Sequence, residues 1–374
     1  MKILMIAPEP CFMPRGTPMS VLTRCRALTE LGHTVDLVTY HVGSDISLEG
    51  LSIFRAPGLP GVRRIKAGPS LLKVPLDILV YLRTRRLLRR DTYDCVHTHE
   101  EASLIGALLR RRHGLRHVYD MHSSLPEQLG NYGWFSRGPV VWLAKKLERW
   151  VLKRSDLVIC ICQRLAEKID GLAPTEVIHN APLPEDAAPP AAPGGPVALY
   201  LGNFGNNQGL DLLVNSIPLV RERRNDIRFV LAGGERRQIA SLRSKLGGGN
   251  GVRFLERTEP DDASRLLSEA AVLLSPRPGG DNVPLKIYHY LHAGKPIVAT
   301  DIPAHTQVLS RDTSVLTAPT PSAFAEGIVR VFEDTQLAGK LGVAARELAE
   351  REYSFSTYKE KIRNVYRQIG EPAG

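Results

Sequence analysis

Short apolar runs alternate with longer stretches of helical periodicity along the whole chain. KILMIA (2–7), VDLVTY (35–40), DCVHTH (94–99), HVYDMH (117–122) and LVICI (157–161) read as buried strands. Between them lie segments with apolar residues three and four apart, at 18–31, near 75–90, at 101–112 and at 139–154. The pattern stops at LPEDAAPPAAPGGP (183–196), a stiff Pro- and Ala-rich connector. It then restarts with VALYLG (197–202), FVLAGG (229–234), VRFL (252–255), VLLSP (272–276) and PIVAT (296–300), again separated by helical segments, with three more to the end. Strand–helix alternation of this kind predicts mostly parallel sheets wrapped by helices. The expectation is two doubly wound α/β domains in tandem, at 1–185 and 196–352, followed by a closing segment, 353–374. Ligands of such sheets sit outside the carboxyl ends of the strands, so the two-domain version predicts an interdomain cleft.

Composition narrows this picture only a little. With 374 residues, 43% apolar and 24% charged, the chain is globular and long enough for two cores. No run approaches the ~20 apolar residues of a bilayer span. MKILMIAPEP reads as a first strand rather than a signal peptide, and the five cysteines, three of them in strand-like runs, suit a reducing cytoplasm better than disulfides or a metal. The net charge of +10 is concentrated early: 26 Lys and Arg against 18 Asp and Glu in 1–185, but 23 against 21 in 186–374. Charge alone does not choose among nucleic acid, membrane and phosphorylated ligands. Aromatic-interleaved basic runs are missing, which disfavours nucleic acid.

Candidate chemistry gathers at the strand ends. Gly16 precedes a helix that Thr17 would cap and Pro18 would open; Gly202, Gly205 and Gly209 surround a second strand-to-helix turn. Glycine turns at helix N-termini offer N–H groups to an anion. The second is not the GxGxxG spacing of dinucleotide sites. His97, His99, Glu100 and Glu101 follow one strand, and Asp120, His122 and Ser123 another. In DNVPLKIYHYLHAGKPIVAT (281–300), Asn282 and Pro284 predict a helix start and Gly294 and Pro296 its exit. On that helix Ile287, Tyr290, Leu291 and Gly294 share an inward face, whereas Asn282, Lys286 and His289 share another, toward the helix N-terminus. No HExxH or paired CxxC spacing is present, and the expectation is no metal and no cofactor.

These features in this order, with TELGHTVDLVTY (29–40), LAGG (231–234), AGKPIVAT (293–300) and REYSFSTYKEKIRNVYRQIG (351–370), resemble family 4 of the nucleotide-sugar glycosyltransferases, of the GT-B fold. The resemblance covers nearly the whole chain. It implies a last helix that crosses back to the first domain, and metal-independent transfer of a sugar from a nucleotide diphosphate donor with retention of configuration. It also implies that Gly16 admits the donor phosphates and that His122 reaches the donor sugar. Asn203 and Gln208 stand where the family commonly has Arg and Lys for the diphosphate, and Asp281 and His289 where it has paired glutamates. A replacement cation is then required, because the departing diphosphate gathers negative charge. Lys286 is the first candidate and Arg277 the second. The expected site therefore comprises His122 and Asp281 as catalytic residues, with Gly16, Thr17, Gly202, Asn203, Gln208, Arg277, Asn282, Pro284, Leu285, Lys286 and His289 at the donor.

The expected function is transfer of a hexose from a UDP-sugar to a glycan, lipid-linked or small-molecule hydroxyl. The alternative is a degenerate transferase that binds nucleotide-sugar or a protein partner without turnover. One stretch bears on the acceptor. Residues 59–90 set Arg63, Arg64, Lys66, Lys73, Arg83, Arg85, Arg86, Arg89 and Arg90 around Leu71, Leu72, Ile78, Leu79 and Leu82. Either this is a domain helix with solvated arginines, or an amphipathic basic element that lies on an anionic membrane at the inner face of the cell membrane.

Overall fold

The computed structural model describes residues 1–13, 16–62, 65, 70–130, 138–186, 194–247 and 251–370. Its long apolar runs become parallel strands, buried except at Val252–Glu256, which is half-exposed. One unit comprises Met1–His179 with the chain from Tyr358, the other Asn180–Thr357. The division lies just ahead of the Pro- and Ala-rich stretch, of which 187–193 falls outside the described residues.

The first unit holds strands β1 (Lys2–Ala7), β2 (Thr34–Thr39), β3 (Leu51–Arg55), β4 (Cys95–His99), β5 (Arg116–Met121), β6 (Leu157–Cys160) and β7 (Thr175–Val177), ordered β3-β2-β1-β4-β5-β6-β7 and all parallel. Ile3, Leu4, Met5 and Ile6 of β1 are fully buried. Each such side chain contributes about 1.5–3 kcal/mol over an exposed one, which is why the sheet forms around this run. The helices are α1 (Gly16–Glu30), α2 (Lys73–Leu87), α3 (Ser103–His113), α4 (Leu125–Gly130), α5 (Gly138–Leu152) and α6 (Gln163–Lys168). Helices α2 and α3 cover one face of the sheet, packing Leu76, Val80, Ile105 and Leu109 on Leu4, Ile6, Val38 and Val96, and α5 packs beside α3.

The second unit orders β8 (Val197–Leu201), β9 (Arg228–Gly234), β10 (Val252–Glu256), β11 (Val272–Ser275), β12 (Ile297–Thr300) and β13 (Val315–Thr317) as β10-β9-β8-β11-β12-β13, also parallel. Around it run α7 (Leu210–Arg223), α8 (Arg236–Lys245), α9 (Pro260–Glu269), α10 (Leu285–Ala293), α11 (Pro303–Thr306), α12 (Pro321–Glu333) and α13 (Thr335–Glu352). The final helix, α14 (Phe355–Gly370), packs on the first unit, where Lys359 pairs with Glu30 and Arg24 lies over the Tyr358 ring at 5.0 Å.

Strand order reverses between β1 and β4 in one sheet and between β8 and β11 in the other, which marks the carboxyl ends of those strands as the ligand-facing positions. Two local expectations are corrected. Helix α1 begins at Gly16 itself, so Thr17 lies inside its first turn instead of capping it. Helix α10 takes Pro284 as its N-cap and starts at Leu285, so Asn282 is not the cap. A prolyl ring fixes φ near the value this N-cap adopts, and the exit at Gly294 is left-handed as expected (φ 63°).

Candidate functional site

The switch point of the second unit is built from three loops. After β8 the chain turns through Gly202 (φ 150°) to Gly209 (φ 77°), the left-handed N-cap of α7. A Cβ at Gly209 would lie 1.8 Å from the Pro276 carbonyl oxygen, so only glycine lets this loop meet the one after β11. Arg277 ties the same two loops together, donating from Nε to the Asn207 carbonyl (3.2 Å) and from Nη1 to the Asn282 carbonyl (2.8 Å). Its own carbonyl accepts from Thr300 Oγ1 at 2.5 Å. Tyr290 fixes the strand ends, its hydroxyl accepting from the Leu201 N–H (2.9 Å) and lying 3.3 Å from the Leu201 and Leu274 carbonyls. Tyr288 is fully buried edge-on to Tyr353. Both helix tyrosines are therefore structural.

Lys286 is different. Its ammonium is buried with no hydrogen-bond partner among the described residues, 3.9 Å from the centre of the Tyr200 ring and within 3.1 Å of where a Gly202 Cβ would sit. Tyr200 is held by its hydroxyl, which donates to the Asn203 carbonyl at 2.7 Å. Burial first, and then the Arg277 charge, push the Lys286 ammonium well below its ordinary range. Burial lowers Arg277 as well. A ring face partly compensates such a cation, but an ion partner is what this environment lacks. A buried ammonium and a half-buried guanidinium beneath a glycine loop, at the entrance to a helix, suit an anion.

The structure thus brings Gly202, Arg277, Asn282, Pro284, Leu285 and Lys286 together. The Asn203 carboxamide oxygen accepts from the Gly205 N–H at 3.0 Å, within its own loop, and the buried Gln208 donates to Asn207 Oδ1 at 3.2 Å. Asp281 contributes a backbone carbonyl to Gln307 at 2.6 Å, and His289 lies half-buried one turn beyond Lys286's. Lys295 is buried (6% exposed) beside a cavity of about 510 Å³ lined by Val272, Pro296, Val331 and Phe332, away from these loops.

In the first unit a network of paired charges lies behind His122. Arg24 and Asp120, 3% and 1% exposed, pair at 2.7 Å from Nη2 and 2.9 Å from Nε, both to Asp120 Oδ2. The other oxygen, Oδ1, lies 3.3 Å from His122 Nε2. His97 Nε2 and His99 Nδ1 lie 3.4 and 3.7 Å from Oδ2. Burial alone would raise the Asp120 carboxyl, but Arg24, then His122 and His99, hold it well below the usual carboxylate range. Burial lowers His122, but Asp120 and then Glu100 together outweigh it, and its pKa ends above the ordinary histidine value. Burial lowers His97 and, further, His99 below the ordinary histidine value, and His97 Nδ1 shares a 2.7 Å hydrogen bond with the Tyr366 hydroxyl of α14. Next to His122, Glu100 adopts a left-handed backbone (φ 49°) rare outside glycine, and Ser123 Oγ donates to both its oxygens at 3.1–3.2 Å.

His97, His99 and Asp120 bring three metal-ligating atoms within 4.8 Å, a convergence that sequence spacing did not reveal. The Arg24 guanidinium already occupies Asp120 Oδ2, and a cation there would face that charge. Gly16 and Thr17 stand at the start of α1, which carries Arg24 one face further on. Sequence reasoning missed Arg24. The signal was present: Val21, Arg24, Cys25 and Leu28 share one helical face, and all four are buried.

Comparison with known proteins places the geometry in context. The family described as Glycosyltransferase Family 4 matches residues 14–181, and Glycosyl transferases group 1 matches 195–334. The phosphatidyl-myo-inositol mannosyltransferase of Mycobacterium leprae is 26% identical over 381 residues, covering 99% of this chain and 97% of that protein. Among solved structures, sucrose-phosphate synthase from Thermosynechococcus elongatus superposes with a TM-score of 0.83 at 18% identity, covering 98% of each chain. Anabaena HepE in complex with UDP-glucose superposes at 0.75 and 15% identity, over 98% of this chain and 100% of the other. The two parallel sheets and these neighbours establish the GT-B fold.

Proposed function

The chain belongs to glycosyltransferase family 4, and on that premise we propose that it moves a hexose from a UDP-sugar to a hydroxyl of a lipid-linked acceptor, with retention and without a metal. The observation that carries this reading is the buried Lys286 ammonium, without a hydrogen-bond partner among the described residues, beside Arg277 under the Gly202–Gly209 turn. In transfer, the bond from the anomeric carbon to the diphosphate oxygen breaks, and the acceptor oxygen bonds that carbon on the same face. The acceptor hydroxyl gives up its proton to the departing phosphate oxygen. The growing charge on the diphosphate is matched by Lys286, Arg277 and the N-terminus of α10, a preorganised cationic environment that replaces a metal. His122 and Asp281 are proposed to contact the donor sugar, and His289 the ribose. HepE, a neighbour in fold, has been solved with UDP-glucose, which supports the choice of base.

The lipid-linked acceptor rests on a surface. Among the described residues no helix is long and apolar enough to cross a membrane. Yet, of the ten exposed large apolar side chains among the described residues, eight belong to one helical layer of the first unit: Leu71, Leu72, Val74, Ile78 and Leu82 on α2 and its approach, Leu108 on α3, and Trp142 and Leu143 on α5. Exposed Arg86, Arg89, Arg90, Arg111, Arg112, Lys145, Lys146 and Arg149 surround them. The two carboxylates of these helices turn inward, Asp77 to the Tyr40 hydroxyl (2.6 Å) and Glu148 to Ser124 and the Leu125 N–H. Such a face suits an anionic bilayer. Two parts of the sequence expectation change. Lys73 is buried and pairs with Glu101 at 3.0 Å, and Leu79 packs inward, so neither belongs to this face; Arg63, Arg64 and Lys66 lie outside the described residues. The relative in M. leprae carries phosphatidyl-myo-inositol in its name, which fits a lipid acceptor.

A thermal-shift panel of UDP, GDP and ADP, with and without chelator, tests the donor site. UDP is expected to stabilise most and equally in both conditions. Strict dependence on a divalent ion would refute the metal-free reading. Co-sedimentation with anionic liposomes tests the acceptor side; binding is expected to weaken with salt and with Arg86, Arg89 and Arg90 changed to Gln. No binding at low salt would favour a soluble acceptor.

A further inference from the structure

The last helix leaves the unit that precedes it in sequence and packs on the first. One of its side chains reaches the network behind His122. Tyr366 is 2% exposed, and its hydroxyl lies 2.7 Å from His97 Nδ1, with the two rings 6.2 Å apart and nearly parallel. We propose that α14 is a working part of the first unit's site: Tyr366, through His97 and Asp120, is a positioning residue that holds the His122 imidazole in one orientation. This rests on the reading of His122 as a group that touches the donor sugar.

Tyr366 can donate its O–H to His97 Nδ1, which leaves the imidazole proton of neutral His97 on Nε2. That nitrogen faces Asp120 Oδ2 at 3.4 Å, the oxygen also held by Arg24. Oδ2 is held by two Arg24 N–H groups and faced by the His97 N–H dipole, which lies close without a hydrogen bond; Oδ1 stays 3.3 Å from His122 Nε2, likewise an electrostatic contact and not a hydrogen bond. Removing the Tyr366 hydroxyl lets His97 take either tautomer. One of them turns a lone pair toward Asp120 Oδ2 and pushes the carboxylate out of place. The groups that face His122 are Asp120 from β5, His97 and His99 from β4, Glu100 beyond it, and Arg24 from α1. Asp120 is the one that favours a charged imidazole most strongly, so its orientation sets both the direction and the proton affinity of His122.

The test uses the full-length protein with Tyr366→Phe, Asp120→Asn and, as control, Lys359→Gln, which breaks the exposed Lys359–Glu30 pair of the same helix. Two readouts are taken: NMR titration of the His122 ring, and hydrolysis of UDP-glucose, or of whichever UDP-, GDP- or ADP-sugar turns over fastest. The His122 midpoint is expected to fall in Tyr366→Phe and further in Asp120→Asn, and to stay put in Lys359→Gln. The kcat is expected to fall about 10- to 100-fold in Asp120→Asn and roughly 3- to 10-fold in Tyr366→Phe, with donor KM within about twofold. An unchanged midpoint in Tyr366→Phe overturns the proposal, even if activity drops. A lowered midpoint with unchanged kcat upholds the positioning and instead overturns the role of His122 in transfer, so the two readings fail separately. If Asp120→Asn does not fold, Tyr366→Phe, which loses one hydroxyl, decides alone.

Discussion

The two units carry buried charge at the same place in their sheets, at the strand-order reversal, but treat it in opposite ways. Behind His122 every charge has a counter-charge: Arg24 faces Asp120, and Asp120 faces His122. Beneath the Gly202–Gly209 turn, Lys286 and Arg277 face each other's positive charge, a ring and backbone carbonyls. The network behind His122 carries its own counter-charge without a ligand, although Arg24 Nη1, His97 Nε2, His99 Nε2 and Asp120 Oδ1 make no hydrogen bond among the described residues, and it serves to hold something still. An unpaired one is incomplete and costs stability until an anion arrives. The contrast separates a positioning site from a binding site without reference to any relative.

The largest expected effect comes from breaking the paired side. Arg24→Met leaves Asp120 buried with only histidines about it, and is expected to cost about 3–5 kcal/mol in denaturant unfolding. The pH dependence follows from the directions of the shifts. Asp120 is depressed in the folded protein, so its contribution is present above the ordinary carboxylate range and lost as pH falls through its folded value. His122 is raised, so its contribution is complete below about pH 6.5, its unfolded value, and lost as pH rises through its folded one. The wild-type advantage over Arg24→Met should shrink toward low pH. A mutant as stable as wild type at neutral pH would mean that the ion pair is not a net contributor.

How much of this was legible in the chain follows the same division. Long apolar strands announced themselves, as did the glycines that open α1 and α7. The strands that escaped are short and at or near the sheet edges: β3 is half-exposed along its length, β7 has three residues, and β13 likewise. Strands this short carry too few alternations to stand out from loop. At the site, Lys286 and Arg277 could be found because a local feature, a helix entrance after a strand, points both at one place. Arg24 and Asp120 are 96 residues apart, and only folding reveals that they meet. The reversed sign of a buried arginine on an apolar helix face was the one local hint.

Lys286 sharpens the comparison from the other side. Lys286→Met removes an uncompensated buried cation and is expected to raise stability by about 1–2 kcal/mol while weakening UDP binding roughly tenfold or more, the value of a charge-assisted contact of about 1.5–3 kcal/mol. Lys340→Met, at an exposed position, should change neither. Lys295 is the poorer control, because it is buried. Loss of stability together with unchanged UDP affinity would place Lys286 among ordinary core residues. The same ammonium predicts a proton signature. Its pKa lies well below the ordinary lysine range when the site is empty and should rise when a diphosphate supplies the missing charge. UDP binding should then take up a fraction of a proton near the depressed value, visible in calorimetry as a dependence of the heat on the buffer's ionisation enthalpy, and affinity should improve as pH falls. Equal heats across buffers over the whole alkaline range would contradict this.

The smallest effect concerns a carboxyl beside the paired network that burial itself disfavours as an anion. Glu100 carries a carboxyl that burial pushes up to about 8, against the opposing pull of His122, on a backbone turned left-handed. Below its unfolded value of about 4.5 both states hold the proton, and the group is neutral with respect to stability. Between there and about 8 the unfolded chain releases the proton while the folded protein retains it, so stability falls as pH rises, and above 8 the full cost is present. Glu100→Gln keeps the shape and the Ser123 contact but cannot ionise. It should match wild type near pH 4 and exceed it by about 1–2 kcal/mol at pH 9. That is well short of the roughly 5 kcal/mol the whole displacement would carry, because Glu100 is only partly shielded from water. The measurement is a pair of urea-unfolding series across pH. Parallel curves would show that Glu100 is ionised in the folded protein at neutral pH, and would move it into the paired network around His122.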